Sequence, residues 1–293
     1  MPPSSCSSRP GPSRLVSLLA PVLATASLAS SAPPLPAPAA VLAALDAANS
    51  FFLADPRNAP NPSTEDCGWT RGTFMSGHMA HYAVTRNATL LAWAERWAEA
   101  HNYSCGGVWD DGNFFACGQA YAALYALAPA DYKLSLAVTM HRAIANYANS
   151  SFFGQDWWWV DLLFMALPSW TRYGVLMGDD EILAQGLREF AATSDGGSNA
   201  TSQPGLWDAE SKLYWRDKTY IEQRAPNGNK VFWARGVGWA SAALALTLEY
   251  LPPAHAAFPV LLQRLSDIAH ALLPLQGADG MWRSSLLDAD EYP

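Results

Sequence analysis

Charge is scarce in this chain. Only 15% of its 293 residues are Asp, Glu, Lys or Arg, and acids outnumber bases 26 to 18, for a formal net charge of −8. With so few cations and no basic patch there is nothing to grip a phosphate backbone, so no nucleic acid is expected as a partner. Cysteine is scarcer still, with four in all. Setting aside Cys6 in the opening segment, Cys67, Cys105 and Cys117 allow at most one internal disulfide and leave one thiol. Their spacing fits no zinc pattern. His78-Met-Ala-His81 lacks the Glu of a zincin helix and has no third ligand in view, so it reads as two histidines on a helix face. A long apolar run is missing too: the N-terminal one is broken by Ser and Pro and is too short to span a bilayer comfortably. No fixed period marks a solenoid.

What is present begins with a targeting signature. Arg9 and Arg14 precede Leu15-Val16-Ser17-Leu18-Leu19-Ala20, and small residues follow to Ser30-Ser31-Ala32. A basic stretch, an apolar stretch and a small-residue cleavage site describe a secretory signal over residues 1–32. A Pro/Ala linker over 33–40 and one domain over 41–293 come next. Four sequons, at Asn87, Asn102, Asn149 and Asn199, agree with an extracellular glycoprotein. The expectation is a secreted protein with no membrane association after cleavage.

Helical periodicity dominates beyond residue 39. The pattern predicts helices near Ala39–Leu53, Gly72–Thr85, Thr89–His101, Ala116–Leu127, Leu134–Asn149, Asp161–Met177, Asp180–Ala192, Gly236–Tyr250 and Phe258–Leu273. Gly178-Asp179-Asp180 separates two of them and Pro252-Pro253 stops another. Leu206-Trp207-Asp208 and Leu213-Tyr214-Trp215-Arg216 read instead as a small hairpin. Tight and long connections alternate, as in stacked αα-hairpins. The long ones carry the unusual residues, and function gathered on one rim of a rigid scaffold is the expected arrangement.

Thirteen Trp and eleven Tyr suit either a helical core or a carbohydrate cleft. Trp157-Trp158-Trp159-Val160-Asp161 is the most informative stretch. Aromatic faces stack on sugar rings, and a carboxyl held among them loses water, which raises its proton affinity toward that of a general acid working near neutral pH. The competing reading of Asp161 is a helix N-cap beside core tryptophans.

Six segments, in order, resemble the unsaturated glycuronyl hydrolases, specifically the unsaturated rhamnogalacturonyl hydrolases of glycoside hydrolase family 105. They are Trp69-Thr70-Arg71-Gly72-Thr73-Phe74, Gly118-Gln119-Ala120-Tyr121, the run Trp158 to Ala166, Leu213 to Asp217, Trp233-Ala234-Arg235-Gly236-Val237-Gly238-Trp239, and Asp279 to Asp288. The resemblance implies an all-α fold, an (α/α)6 barrel of six hairpins with a small β-hairpin on its rim. It implies a substrate as well, an oligosaccharide ending in a 4,5-unsaturated uronic acid left by a polysaccharide lyase. Such an enzyme hydrates the C4=C5 enol ether and leaves the anomeric carbon alone, with one carboxyl serving as acid and base, and needs no cofactor. By the same match Asp161 is the acid/base and Arg235 binds the uronate carboxylate. Trp233 and Trp239 supply stacking walls, while Trp69, Arg71, Gln119 and Trp158 are further contacts. Arg216 is either an anion contact or the partner of Asp217.

Two departures from the family pattern stand out. Where the family has an auxiliary Asp this chain has Asn113, with Asp110 and Asp111 just upstream; Asp111 is the expected substitute. Val237 stands where the signature has Asn, which alters what can bond a sugar hydroxyl. Nine helices are also fewer than six hairpins require, so the barrel is expected to be incomplete at its C-terminus. Two alternatives remain: an ordinary inverting glycosidase using Asp161 with Asp111, or a non-catalytic glycan-binding homologue on the same scaffold.

Overall fold

A computed structural model describes residues 36–147, 157–196 and 204–290. The signal and most of the linker, Cys6, and the sequons at Asn149 and Asn199 lie outside the described residues. Eleven α-helices are described: α1 Pro38–Ala54, α2 Thr64–Cys67, α3 Trp69–Thr85, α4 Ala88–Ala100, α5 Gly118–Leu127, α6 Ser135–Tyr147, α7 Asp161–Met165, α8 Leu167–Met177, α9 Asp180–Asp195, α10 Ala234–Tyr250 and α11 Phe258–Leu272. One two-stranded hairpin joins them, β1 Trp207–Asp208 against β2 Leu213–Tyr214, with Trp207 opposite Tyr214 and Asp208 opposite Leu213. Among the described residues no helix is long and apolar enough to cross a membrane.

Local chemistry accounts for the helix ends. Asn87 caps α4 by accepting the Thr89 N–H at 2.9 Å, after Arg86 closes α3 in a left-handed turn. Asp179 caps α9 through the Glu181 and Ile182 N–H groups, directly behind Gly178, which ends α8 with positive φ. Leu251 is extended where α10 stops, as the residue before Pro252 must be. Pro38 opens α1, so the last residues of the expected linker are the first turn of a helix.

The helices make two layers. Helices α3, α5, α8 and α10 touch one another in sequence, while α4, α9 and α11 each back the preceding member of that row. An inner helix is covered on all its faces, and every residue of α8 from Leu167 to Gly174 is buried, Ser169, Thr171 and Arg172 among them. By contrast α11 buries only Phe258, Leu261 and Ile268. The predicted helix over Asp161–Met177 is in fact two, divided at Ala166. Pro168 explains the break, since it has no N–H for the Phe164 carbonyl. That carbonyl instead accepts the Gln119 side-chain amide at 3.1 Å.

Short α7 packs against α3, α8, α10 and the 3-10 turn Gly112–Phe115, which places its N-terminus among the long loops. Cys67 and Cys105 form a disulfide and Cys117 is a buried thiol, pushed up to about 12 by burial. His78 and His81 share Asn49, which joins α1 to α3 through side-chain bonds.

Candidate active site

The arm that follows α9 sets the position of Asp161. The Val160 N–H donates to the Arg216 carbonyl at 2.9 Å, and Trp159 bridges Asp217 in antiparallel fashion. A second bridge joins Trp233 to Ser285, fixing the entry to α10. Gly236 lets these parts close together: a Cβ there would stand 2.7 Å from the Trp233 ring and 2.8 Å from Val160.

The result is a cavity of about 440 Å³ lined by Trp69, Trp159, Asp161, Arg216, Trp233, Arg235 and Trp239. Asp161 is the first residue of α7 and does not cap it. Its Oδ2 is sealed from solvent and has no hydrogen-bond partner. Burial is the main force on this carboxyl and raises its proton affinity, partly opposed by its own backbone N–H and by Arg216 and Arg235, and reinforced by Asp217. An ionised oxygen without a donor is costly, which acts in the same direction as burial. Arg235 stacks 4.1 Å over Trp233, while Trp239 packs against Phe164 at 4.7 Å and presents its remaining surface to the cavity.

Other expected contacts sit elsewhere. Arg71 is half-buried in an ion pair with Asp66 at 2.6 Å and donates to the Asn58 carbonyl. Gln119 is buried, bonded to Ser76 and to the Phe164 carbonyl; it supports α7 from beneath. Trp158 is 47% exposed and leans on Trp159, which is the tryptophan that lines the cavity. Asp111 caps the 3-10 turn through the Asn113 N–H at 2.9 Å; neither of these two, nor Asp110, lines the cavity. Val237 is buried in the core of α10. Arg216 is the partner of Asp217 at 3.1 Å and also lines the cavity. Trp159 was missed because three consecutive tryptophans in a turn carry no periodicity to say which one faces inward. Among the described residues no group of three or more potential ligands could hold a metal ion.

A helical-hairpin scaffold with its cavity at the rim defines the six-hairpin glycosidase fold. Solved structures agree: a family 88 glycosyl hydrolase from Bacteroides vulgatus superposes with a TM-score of 0.73 at 24% identity, covering 85% of this chain and 72% of that one. The Glycosyl Hydrolase Family 88 profile matches residues 47–293, and the chain belongs to that family. Among curated relatives, an unsaturated 3S-rhamnoglycuronyl hydrolase of Alteromonas sp. (strain LOR) is 35% identical over 135 residues, 46% of this chain and 30% of the relative. Another of the same name, from Formosa agariphila, is 31% identical over 142 residues, 46% of this chain and 35% of the relative. The matched stretch thus spans about a third of the length of those relatives.

Proposed function

We propose that this protein is a secreted hydrolase that removes the terminal 4,5-unsaturated uronic acid from lyase-generated oligosaccharides. One observation carries the reading: a desolvated Asp161 with an unpartnered oxygen shares an aromatic cavity with Arg216 and Arg235. The tryptophans stack on the sugar ring, and the planar guanidinium of Arg235 pairs with the uronate carboxylate. Protonated Asp161 delivers its proton to C4. The resulting carboxylate takes a proton from water as the water oxygen adds to C5, and the hemiketal opens to release the remaining sugar.

General acid catalysis of this kind is worth about 10²- to 10⁴-fold. Among the described residues no second carboxylate lines the cavity, which favours single-acid hydration over a two-carboxylate inverting mechanism. Relatives bearing the name unsaturated 3S-rhamnoglycuronyl hydrolase support the substrate class. The N-terminal signature and the Cys67–Cys105 disulfide support an oxidising, extracellular setting.

The test is loss of the ultraviolet absorbance of the conjugated C4=C5 uronate across a panel of lyase-derived disaccharides. Decay that vanishes in Asp161→Asn is the expected result. No decay with any disaccharide from a folded protein would overturn the assignment.

A further inference from the structure

The neighbour that holds the acid side of this cavity together lies just behind it. On the arm, Arg216 faces the cavity, and Asp217 beside it is buried with 2% of its surface exposed. Asp217 Oδ1 accepts the Thr219 N–H at 2.8 Å and the Thr219 hydroxyl. Its Oδ2 stands 3.1 Å from Arg216 Nη1. A buried carboxylate fixed by two donors therefore fixes a guanidinium in turn. Arg216 is held from the aromatic side as well, 5.3 Å from the Tyr220 ring and 5.9 Å from Trp233.

We propose that Asp217 is a positioning residue for Asp161, holding Arg216 beside the acid and supplying the second negative charge of the site. This inference rests on the hydrolase reading above. It assigns to the 216–217 arm the place that the sequence suggested for residues 110 to 113.

The charge balance supports the assignment. With Asp161 protonated, Arg216 and Arg235 against Asp217 leave one net positive charge, which complements a single uronate carboxylate. With Asp161 ionised the site is neutral, so an anionic substrate binds the acid in its working form. Without Asp217, the freed Arg216 and the lost repulsion both favour ionised Asp161. The other charges around α7 are already engaged. From the 3-10 turn, Asp111 is bound to a backbone N–H; on α3, Arg71 is paired with Asp66; on α8, Arg172 pairs with Glu249 of α10. Among the described residues that line the cavity, Arg235 is the other charge beside Asp161, and it has the same sign as Arg216.

The experiment is a carbon-13 carboxyl NMR titration of Asp161, assigned by its absence in Asp161→Asn, with kcat/KM followed over pH in parallel. Asp217→Asn is expected to move the Asp161 midpoint to lower pH and Arg216→Gln to move it to higher pH, each by about one unit. The alkaline limb of kcat/KM should follow in the same directions, and Asp217→Glu should recover part of the shift. A residue that only braced the fold would not produce opposite shifts. An unmoved midpoint in folded Asp217→Asn would sink the proposal. If Asp217→Asn does not fold, Arg216→Gln decides alone: its midpoint must rise, and one that stays or falls overturns the idea. The two readings part cleanly. Shifted midpoints without turnover by the wild type would keep Asp217 and reject the hydrolase, while turnover with unmoved midpoints would do the reverse.

Discussion

Asp66 and Asp161 make an instructive pair. Burial raises the proton affinity of both, and both stand near arginine. Yet Asp66 has ion-pair partners that Asp161 lacks: Arg71 stands 2.6 Å from Oδ1 and His101 3.6 Å from Oδ2, while the Asn61 N–H donates to Oδ2 at 3.1 Å; Oδ1 itself has no hydrogen-bond donor. Trp97 donates to its backbone carbonyl, and the next residue is tied by the disulfide. Asp161 has an oxygen with no partner and a cavity in front of it. A perturbed carboxyl is therefore a poor marker of chemistry by itself; a carboxyl without an ion-pair partner, on the wall of a cavity with room for a ring, is the better one.

That contrast breaks if the two residues can exchange consequences. Asp161→Asn should lower kcat by about 10²- to 10⁴-fold, with the thermal midpoint by circular dichroism unchanged. Asp66→Asn should do the opposite. It leaves Arg71 buried without its anion and should cost about 3–5 kcal/mol in urea unfolding, while kcat per folded molecule stays at the wild-type value. Replacing Cys67 and Cys105 by Ser, beside Asp66, should cost about 2–4 kcal/mol and again spare kcat. The smallest effect sharpens the cavity wall itself. Trp159→Ala should raise KM by up to about tenfold, the worth of one aromatic contact, and Trp158→Ala should leave it unchanged.

Most of the helical scaffold was legible because its signals are local. Apolar spacing marked the helices, and Gly178-Asp179 and Pro252 marked the limits of some to within a few residues. The division at Ala166 was missed, although Pro168 was in plain view; the apolar pattern runs through it because both pieces are buried in one core. At the site, Asp161, Arg235, Trp233 and Trp239 are brought together as the motifs suggested. Arg71 and Gln119 belong to the same motifs but satisfy buried partners, Asp66 for one and the carbonyl orphaned by Pro168 for the other. Those partners are distant in sequence, so no spacing rule could have separated support from contact. Asp111 carried a local alternative, an Asp-Gly-Asn turn in which the carboxylate caps its own loop.

The arm gives the cavity a register. Arg216 reaches the cavity and Asp217 is buried beside it because this segment is pinned to Trp159 and Val160. A residue inserted in the exposed turn at Ala209 and Glu210 disturbs only the surface pair of Glu210 with Lys230. One residue inserted between Tyr214 and Arg216 moves Arg216 and Asp217 out of step with the Val160 and Trp159 contacts that hold them, and the cavity loses a wall.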